Sequence, residues 1–324
     1  MSDSTFGRLL LTGGTGFVGR SILDRFAVEN LRLGFSLTVL TRDPERFIRS
    51  GGRRESSWLR FVQGDVRSLP SRLGKFDGII HAATPNAAVE AELDEMLETI
   101  VSGTRNILQL AATCGDIPVL LTSSGAVYGR QPDHLTQMSE AYLGAPDPLE
   151  IGNAYAEGKR LAELRCALWA RSSRVRPKIA RMFAFVGPHL PLDRHFAIGN
   201  FIGDVIAGRA INVAGDGTAV RSYLYADDMV DWLWAIFARG EPMRPYNVGS
   251  ERSIDIASLA RMVANAGGRD TQVLIHGTGA SGGARHRYVP ETTRIRSELN
   301  VAETIDLEAA IGRTIGFHRD RVAR

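Results

Sequence analysis

The sequence has few cysteines and no long apolar run. Its two cysteines, Cys114 and Cys166, lack the close spacing of a metal-binding pair, so neither a disulfide scaffold nor a zinc site is predicted. No apolar stretch approaches the ~20 residues needed to cross a bilayer. The first seven residues also lack the charged and apolar segments of a secretion signal. We therefore expect a cytoplasmic protein with no metal ion and no membrane partner.

Lysine is scarce as well, and charge of either sign is dispersed. The only lysines are Lys75, Lys159 and Lys178, and the formal net charge is +3. No basic run is interleaved with aromatic residues, so we expect no nucleic-acid partner. The 324 residues, of which 44% are hydrophobic, are enough to bury a full core.

A glycine-rich segment follows the first apolar run, residues 9–11. Residues 12–19 read TGGTGFVG, and an amphipathic stretch comes next. A strand, a glycine turn and a helix in this order suit a dinucleotide pyrophosphate, because the turn lets the backbone approach the phosphates and the helix N-terminus attracts anions. An ordinary turn is the alternative, since the spacing is G-x-x-G-x-x-G. The predicted cofactor loop comprises Gly13, Thr15, Gly16, Phe17, Val18 and Gly19.

Further apolar runs at 37–40, 59–62, 79–80 and 119–121 alternate with helical patterns. This alternation predicts an α/β fold with a doubly wound parallel sheet of the Rossmann type. His81 ends one of these runs and is followed by alanines, so we interpret it as structural.

The end of the second predicted strand bears on the choice of cofactor. Thr41 and Arg42 occupy the place where an acid would bind the adenosine ribose of NAD, and Asp43 comes one step later. An arginine there accommodates a 2′-phosphate, which favours NADP(H) over NAD. The alternative is that Arg42 stacks on adenine or faces solvent while Asp43 turns to the ribose.

Tyr155 and Lys159 lie four residues apart in a predicted helix, so both project from one face. An ammonium beside a phenol is expected to lower the tyrosine pKa from about 10 towards neutrality. Such a tyrosine can exchange a proton with a sugar hydroxyl while a hydride moves to or from nicotinamide. Ser124, at the end of a predicted strand, could share that proton. Two unrelated surface residues are the alternative reading of the pair.

Together these segments resemble the extended short-chain dehydrogenases/reductases of the NAD(P)-dependent nucleotide-sugar epimerase/dehydratase family. The matching segments are 12–19, 65–66, 81–83, 103–104, 123–129, 155–159, 181–183, 187–188, 200–201, 215–217, 221–223, 227–228, 246–249 and 288–290. The resemblance implies that Ser124, Tyr155 and Lys159 are catalytic. It implies further cofactor contacts from Thr41, Arg42, Asp65, Val66, Ala82, Ala83 and Ser123. It implies nucleotide-sugar contacts from Ser124, Ala126, Asn200, Arg221 and a tail arginine, Arg285 or Arg287.

The resemblance also implies a division of the chain. Residues 1–180 with 223–265 would form the NAD(P)-binding Rossmann domain, and residues 181–222 with 266–324 a smaller lobe for the nucleotide-diphosphate sugar. Members of the family commonly form homodimers through two long helices, here predicted at 88–114 and 153–169.

Several positions depart from the family's patterns, among them Ile100, where an asparagine is often found. Gly125 and Ala126 stand where the 4,6-dehydratases carry an acid pair, and the nucleotide-glucuronate decarboxylases have a glutamate in place of Ala126. Ala184 replaces an asparagine that contacts the sugar in UDP-galactose 4-epimerases. These departures disfavour dehydration and decarboxylation and favour chemistry that needs only a hydride transfer and one proton relay. We expect an NDP-4-keto-6-deoxysugar 4-reductase; the alternatives are an NDP-sugar 4-epimerase with bound NAD and a non-catalytic NADP(H)-binding protein.

Overall fold

A computed structural model describes residues 6–85, 90–193, 196–268, 271–277 and 286–322. Contacts between Cα atoms divide the chain into two compact units. The first comprises Met1–Gly129, Leu143–Met182 and Trp232–Tyr246, and the second Arg130–Tyr142, Phe183–Asp231 and Asn247–Arg324. The predicted assignment of the cofactor to one part of the chain and the nucleotide sugar to the other stays a prediction.

Strands and helices alternate through the first part of the chain, up to residue 182. They are β1 (Arg8–Thr12), α1 (Phe17–Leu33), β2 (Ser36–Thr41), α2 (Pro44–Arg49), β3 (Leu59–Gln63), β4 (Gly78–His81), α3 (Leu93–Cys114), β5 (Pro118–Ser124), α4 (Ala154–Ser172) and β6 (Arg176–Met182). Short 3₁₀ turns span Glu90–Glu92, Gly125–Tyr128 and Ile151–Asn153.

The elements that follow are shorter. They are β7 (Phe185–Val186), α5 (Ala197–Ile206), β8 (Ile211–Val213), β9 (Val220–Ser222), β10 (Leu224–Tyr225), α6 (Ala226–Arg239), β11 (Pro245–Val248), β12 (Ser253–Asp255), α7 (Ile256–Ala266), β13 (Val273–Ile275), β14 (Arg287–Tyr288), α8 (Thr293–Leu299) and α9 (Leu307–Val322).

A seven-stranded sheet in the order β11-β6-β5-β4-β1-β2-β3 is the centre of the first unit. Neighbours from β6 to β3 are parallel, and Leu9 of β1 is in register with Leu37 of β2 and Gly78 of β4. A parallel sheet is covered on both faces, so its strands are apolar throughout; the three leucines of β1 are fully buried. The predicted doubly wound parallel sheet is confirmed.

Helices α3 and α4 pack against each other on one side of this sheet. Gly158 of α4 permits the close approach, because a Cβ atom there would lie 3.0 Å from Leu97 Cδ1 and 3.2 Å from Ile100 Cδ1. Both long helices were predicted with slightly different ends. The prediction of 88–114 begins in residues outside the described ranges, and the helix itself starts at Leu93.

The second unit contains small sheets and short helices. Strand β9 pairs with β12 and β14, β8 pairs with β13, and β7 pairs with β10. Asn247 is fully buried, and its amide donates hydrogen bonds to the carbonyl oxygens of Met138 (2.7 Å) and Glu291 (3.0 Å). One side chain thereby joins segments that lie more than 100 residues apart in sequence.

Within the described ranges, no helix is both long and apolar enough to cross a membrane. The same residues contain no group of three or more histidine, cysteine, aspartate or glutamate side chains placed to hold a metal ion.

Candidate active site

Residues 13–19 contain four glycines, and those at Gly13, Gly14 and Gly19 leave no room for a side chain, whereas Gly16 does. Gly13 has a φ of +74°, and a Cβ atom there would lie 2.4 Å from the carbonyl oxygen of Ala82. A Cβ atom on Gly19 would lie 2.2 Å from the carbonyl oxygen of Gly13. At Gly16, by contrast, the nearest atom to an added Cβ would be 3.6 Å away.

Helix α1 begins at Phe17, directly beside this open position. Thr15 precedes Gly16 in the turn, and Phe17 and Val18 are the first two residues of the helix. The backbone at Gly16 is therefore open directly before a helix N-terminus, an arrangement that accepts a pyrophosphate. The residues present fit a dinucleotide.

Arg42 and Asp43 directly follow β2, and the two side chains have different environments: Arg42 is exposed, whereas Asp43 forms a local hydrogen bond. The Asp43 carboxylate caps α2 by accepting a hydrogen bond from the backbone N–H of Arg46 at 2.8 Å. Pro44 follows at the first helical position, where proline suits the start of a helix. The carboxylate of Asp43 thus has a local structural role, while the Arg42 side chain faces solvent beside half-buried Thr41.

Asp65 and Val66 follow β3, and each is held in place. Arg67 binds the Asp65 carboxylate at 2.8 Å, and these hydrogen bonds lower the pKa of Asp65. Val66 is buried, and its carbonyl oxygen accepts a hydrogen bond from Asn106 at 2.9 Å. Gly103 of α3 makes room for the Val66 side chain, since an added Cβ atom would be 2.8 Å from it.

His81 is buried at the end of β4, with both ring nitrogens hydrogen bonded. Nδ1 pairs with Thr12 Oγ1 at 2.7 Å and Nε2 with Thr104 Oγ1 at 3.3 Å. Burial lowers the pKa of His81 to about 3, so the ring is neutral. The structural interpretation of His81 is confirmed. Ala82 and Ala83, directly after it, are half-buried.

The predicted catalytic residues lie close together, at the C-terminal end of β5 and in the first turns of α4. Ser124 is the last residue of β5, and its hydroxyl oxygen accepts a hydrogen bond from the Ala126 N–H at 3.1 Å. A side-chain hydrogen bond joins Ser124 and Tyr155. The Lys159 ammonium lies 5.7 Å from the centre of the Tyr155 ring. Ala126, a predicted substrate contact, is partly exposed in the adjoining turn.

Two partners of Lys159 were not predicted from the sequence. Its ammonium donates to the Thr84 hydroxyl at 2.8 Å and to the Thr122 carbonyl oxygen at 2.7 Å. The only local signal for Thr84 is its position directly after the Ala82-Ala83 strand end. Thr122 contributes through its backbone, which leaves no trace in residue type.

Burial determines the protonation of this group. It lowers the pKa of Lys159 to about 8, and the charge of Glu163 opposes that shift. It raises the pKa of Tyr155, although the hydrogen bond with Ser124 opposes it. The expectation that Lys159 brings the Tyr155 pKa down towards neutrality is therefore wrong for this arrangement, because desolvation of the phenol outweighs the other effects.

Ser123 has a different environment from its neighbour Ser124. Its buried hydroxyl donates to a carboxylate oxygen of Glu163 on α4 at 2.5 Å. The structure thus places this predicted cofactor contact in a side-chain network between a helix and the sheet.

The predicted substrate residues of the second unit lie on α5, β9 and β14. Asn200 is exposed on α5. The Arg221 guanidinium donates to the carbonyl oxygens of Val220 and His286, each at 2.8 Å, and lies 3.2 Å from the His286 ring nitrogen. Arg287 is in register with Val220 on the paired strand. Arg285 lies outside the described residues.

The model of the NAD dependent epimerase/dehydratase family matches residues 9–249. The chain belongs to this family. The predicted resemblance is confirmed, and with it a nicotinamide dinucleotide cofactor, since the family is NAD-dependent. The match spans the glycine loop, Ser124, Tyr155 and Lys159.

Among curated relatives of this family member, UDP-glucuronic acid decarboxylase 1 of Arabidopsis thaliana is 30% identical over 97% of the chain and 70% of the relative. The decarboxylase of the same name from Xenopus tropicalis is 27% identical over 98% of the chain and 74% of the relative.

Solved structures show the same fold at lower identity. UDP-glucose 4-epimerase of Thermotoga maritima superposes with a TM-score of 0.82 at 19% identity, covering 97% of this chain and 99% of that one. DesIV, a dTDP-glucose 4,6-dehydratase of Streptomyces venezuelae, gives 0.82 at 23% identity, with 98% of each chain covered.

Proposed function

We propose that this family member acts on a nucleotide-diphosphate sugar by hydride transfer at the sugar C4, and that its net reaction is reduction of a 4-keto sugar. The observation that carries the proposal is the hydrogen-bonded pair of Ser124 and Tyr155 with the Lys159 ammonium 5.7 Å from the Tyr155 ring. Gly125 and Ala126 are the next residues in the strand-end turn. The set can relay one proton. Neither Gly125 nor Ala126 can act as the second acid or base that elimination requires.

The raised pKa of Tyr155 favours the reductive direction. A phenol that keeps its proton at neutral pH suits a donor. In reduction, Tyr155 Oη gives its proton to the sugar oxygen at C4 while Ser124 Oγ holds that oxygen. The Lys159 ammonium stabilises the phenolate left behind. In a 4-epimerase the same tyrosine must first remove a proton, which a raised pKa opposes.

The chain's residues divide the cofactor between them. The backbone of residues 13–16 and the N-terminus of α1 would hold the pyrophosphate, and Asp65 with Val66 would hold the adenine. When bound, the nicotinamide supplies the hydride. Exposed Arg42 suits a 2′-phosphate, and the neighbouring Asp43 carboxylate is engaged as a helix cap, so we propose a preference for NADPH over NADH.

For the substrate, we propose that Arg221 and Arg287 bind the diphosphate together with Asn200. A planar guanidinium presents parallel donors to two phosphate oxygens. The carbonyl oxygens of Val220 and His286 hold the Arg221 side chain in one orientation before any ligand arrives.

Decarboxylation of a nucleotide glucuronate is the second candidate. It is favoured by relatives named UDP-glucuronic acid decarboxylase, which align over 97–98% of this chain. The absence of an acid at Ala126 counts against it. The remaining alternative is an NDP-sugar 4-epimerase, which would keep NAD bound throughout its reaction.

The first experiment identifies the nucleotide that purified protein releases on denaturation, by mass spectrometry, followed by titration with NADPH and NADH. Protein that is purified empty, prefers NADPH and reduces an NDP-4-keto-6-deoxysugar supports the proposal. NAD retained at about one molecule per chain would indicate the epimerase and refute the Arg42 argument. Production of CO₂ from UDP-glucuronic acid would establish the decarboxylase instead.

A homodimer formed through α4 is also proposed. Leu161, Leu164 and Leu168 share one face of the helix at spacings of three and four, and are 39%, 55% and 59% exposed. Contiguous exposed apolar side chains typically mark an interface. Leu164→Glu is expected to convert a dimer to a monomer in light scattering, with unchanged circular dichroism. Val28→Glu, at a site on α1 that is 67% exposed, is the control. A wild-type monomer would refute the dimer.

A further inference from the structure

The face of α4 that carries Tyr155 and Lys159 continues to Glu163. The three residues are spaced by four, and an α-helix turns about 100° per residue, so each lies about 40° further round the helix than the last. The Glu163 side chain is 13% exposed. A carboxylate so removed from water needs partners to remain charged.

Glu163 has those partners on two strands. Its Oε1 accepts hydrogen bonds from Ser123 Oγ at 2.5 Å and Arg181 Nε at 3.1 Å, and its Oε2 accepts one from Arg181 Nη2 at 2.7 Å. Ser123 of β5 and Arg181 of β6 are register partners, so their side chains lie on one face of the sheet. The Arg181 guanidinium also lies over the ring of Tyr128, at 4.8 Å. Three elements therefore meet at one carboxylate.

We propose that Glu163 is a positioning residue of the active site: it fastens the helix that carries Tyr155 and Lys159 to the strand end that carries Ser124. The proposal rests on the proposed function for the meaning of that site. Ser123, which Glu163 holds, is the residue next to Ser124, and Lys159 is one helical turn from Glu163. A loss of the carboxylate thus loosens the hydroxyl and the phenol that must share one oxygen.

The charge of Glu163 has a second effect on the site. Among the described residues, the ionisable groups near Lys159 include neutral His81 on β4, Tyr155 on the same helix, and Glu163, which pairs with Arg181. Burial lowers the pKa of Lys159 and Glu163 opposes that shift. Removing the carboxylate therefore lowers the Lys159 pKa further, and the ammonium is lost at a lower pH.

A purely structural ion pair is the competing explanation. In that case Glu163 with Arg181 stabilises the fold, and its loss changes stability without moving the protonation of Lys159. The two explanations therefore predict different titration midpoints for Lys159 when Glu163 is replaced.

Because the chain has only three lysines, the titration midpoint of Lys159 can be measured directly by NMR. Protein labelled with ¹³C at lysine Cε contains three such carbons, from Lys75, Lys159 and Lys178, and their chemical shifts titrate with each ammonium. In Glu163→Gln we expect the Lys159 midpoint to fall by about one pH unit, with the other two unchanged. Glu157→Gln, which removes a carboxylate on the same helix that pairs with Arg160 at 3.7 Å, is the matched control and leaves all three midpoints in place.

Two further variants control for misfolding and separate the charge of residue 163 from its position. Glu163→Gln strands a buried guanidinium, so Glu163→Gln with Arg181→Gln, which removes both charges, is measured if the single variant does not fold. Glu163→Asp keeps the charge but shortens its reach. It is expected to retain the Lys159 midpoint and to lower kcat about tenfold at unchanged cofactor affinity.

An unmoved Lys159 midpoint in folded Glu163→Gln, a double variant with the same midpoint as Arg181→Gln alone, or full kcat in Glu163→Asp would overturn the inference. The titration needs no substrate. If the wild-type protein turns over no nucleotide sugar, the proposed function fails while the lysine midpoints still decide whether Glu163 governs Lys159.

Discussion

Two regions of the first unit each bury a lysine, and they use it differently. Lys159 and Lys178 are both 3% exposed, both donate to a backbone carbonyl at 2.7 Å, and burial lowers the pKa of both to about 8. Lys178 lies within β6 and binds the carbonyl oxygen of Phe237, in the last turn of α6, where carbonyls lack partners within the helix. Lys159 has in addition a hydroxyl partner and a nearby carboxylate.

The comparison shows that a displaced pKa does not by itself identify a reactive group. Lys178 is the C-terminal cap of a helix, and the adjacent charge of Arg176 lowers its pKa further. Lys159 is four residues from a tyrosine that bonds to Ser124. The neighbours, and not the size of the shift, distinguish the two regions.

The largest expected contrast is in turnover. Lys159→Met should lower kcat by about 10²-fold or more, because the phenolate of Tyr155 loses its counter-charge. Lys178→Met should leave kcat within about twofold, since it lies inside the sheet. The measurement is steady-state kinetics with NADPH and an NDP-4-keto-6-deoxysugar. Equal losses in the two variants would erase the distinction.

A smaller contrast is expected in the pH dependence of stability. A lysine with a lowered folded pKa binds fewer protons in the folded than in the unfolded protein between about pH 8 and 10.5. Each such lysine therefore increases the free energy of unfolding as the pH rises through that window. Lys178→Met should therefore reduce the slope by up to about 1.4 kcal/mol per pH unit.

Urea unfolding at pH 8, 9 and 10 measures that slope. Lys75→Met, at an exposed lysine, is the control and should leave it unchanged. A slope that is the same in Lys178→Met and wild type would show that the pKa of this lysine is not lowered in the folded protein.

The smallest expected effect concerns Arg176, whose charge lowers the pKa of Lys178. Arg176 is partly exposed and pairs with Asp116 at 2.7 Å, so solvent screens its influence. Arg176→Gln should raise the Lys178 midpoint by a few tenths of a pH unit and leave Lys159 in place. A comparable movement of the Lys159 midpoint would mean that the two regions are electrically coupled.

Much of the first unit could be predicted because its signals are local. An apolar run, four glycines and a following amphipathic stretch specify β1, the loop and α1 within the first thirty or so residues. Tyr155 and Lys159 share a helix face by their spacing alone. These features need no knowledge of how distant segments pack.

What was missed depends on pairing across the sheet. The contacts of Glu163 arise only when β5 and β6 lie side by side with Ser123 opposite Arg181. The expected direction of the Tyr155 pKa shift was wrong for a related reason. The spacing places a lysine near the phenol, but the desolvation of the phenol depends on all the residues that pack around it. One partner of Arg221, His286, likewise comes from the residue before β14, 65 residues further along the chain.

Three of the four glycines in residues 13–19, namely Gly13, Gly16 and Gly19, differ in the substitutions that they can accept. Backbone collisions forbid a side chain at Gly13 and Gly19, whereas the surroundings of Gly16 tolerate one. A mutational scan selecting only for abundance in the cell should therefore penalise the first two positions and pass Gly16→Ala. A scan selecting for turnover should reject all three, and the difference between the two scans at Gly16 measures the constraint that the ligand alone imposes on this chain.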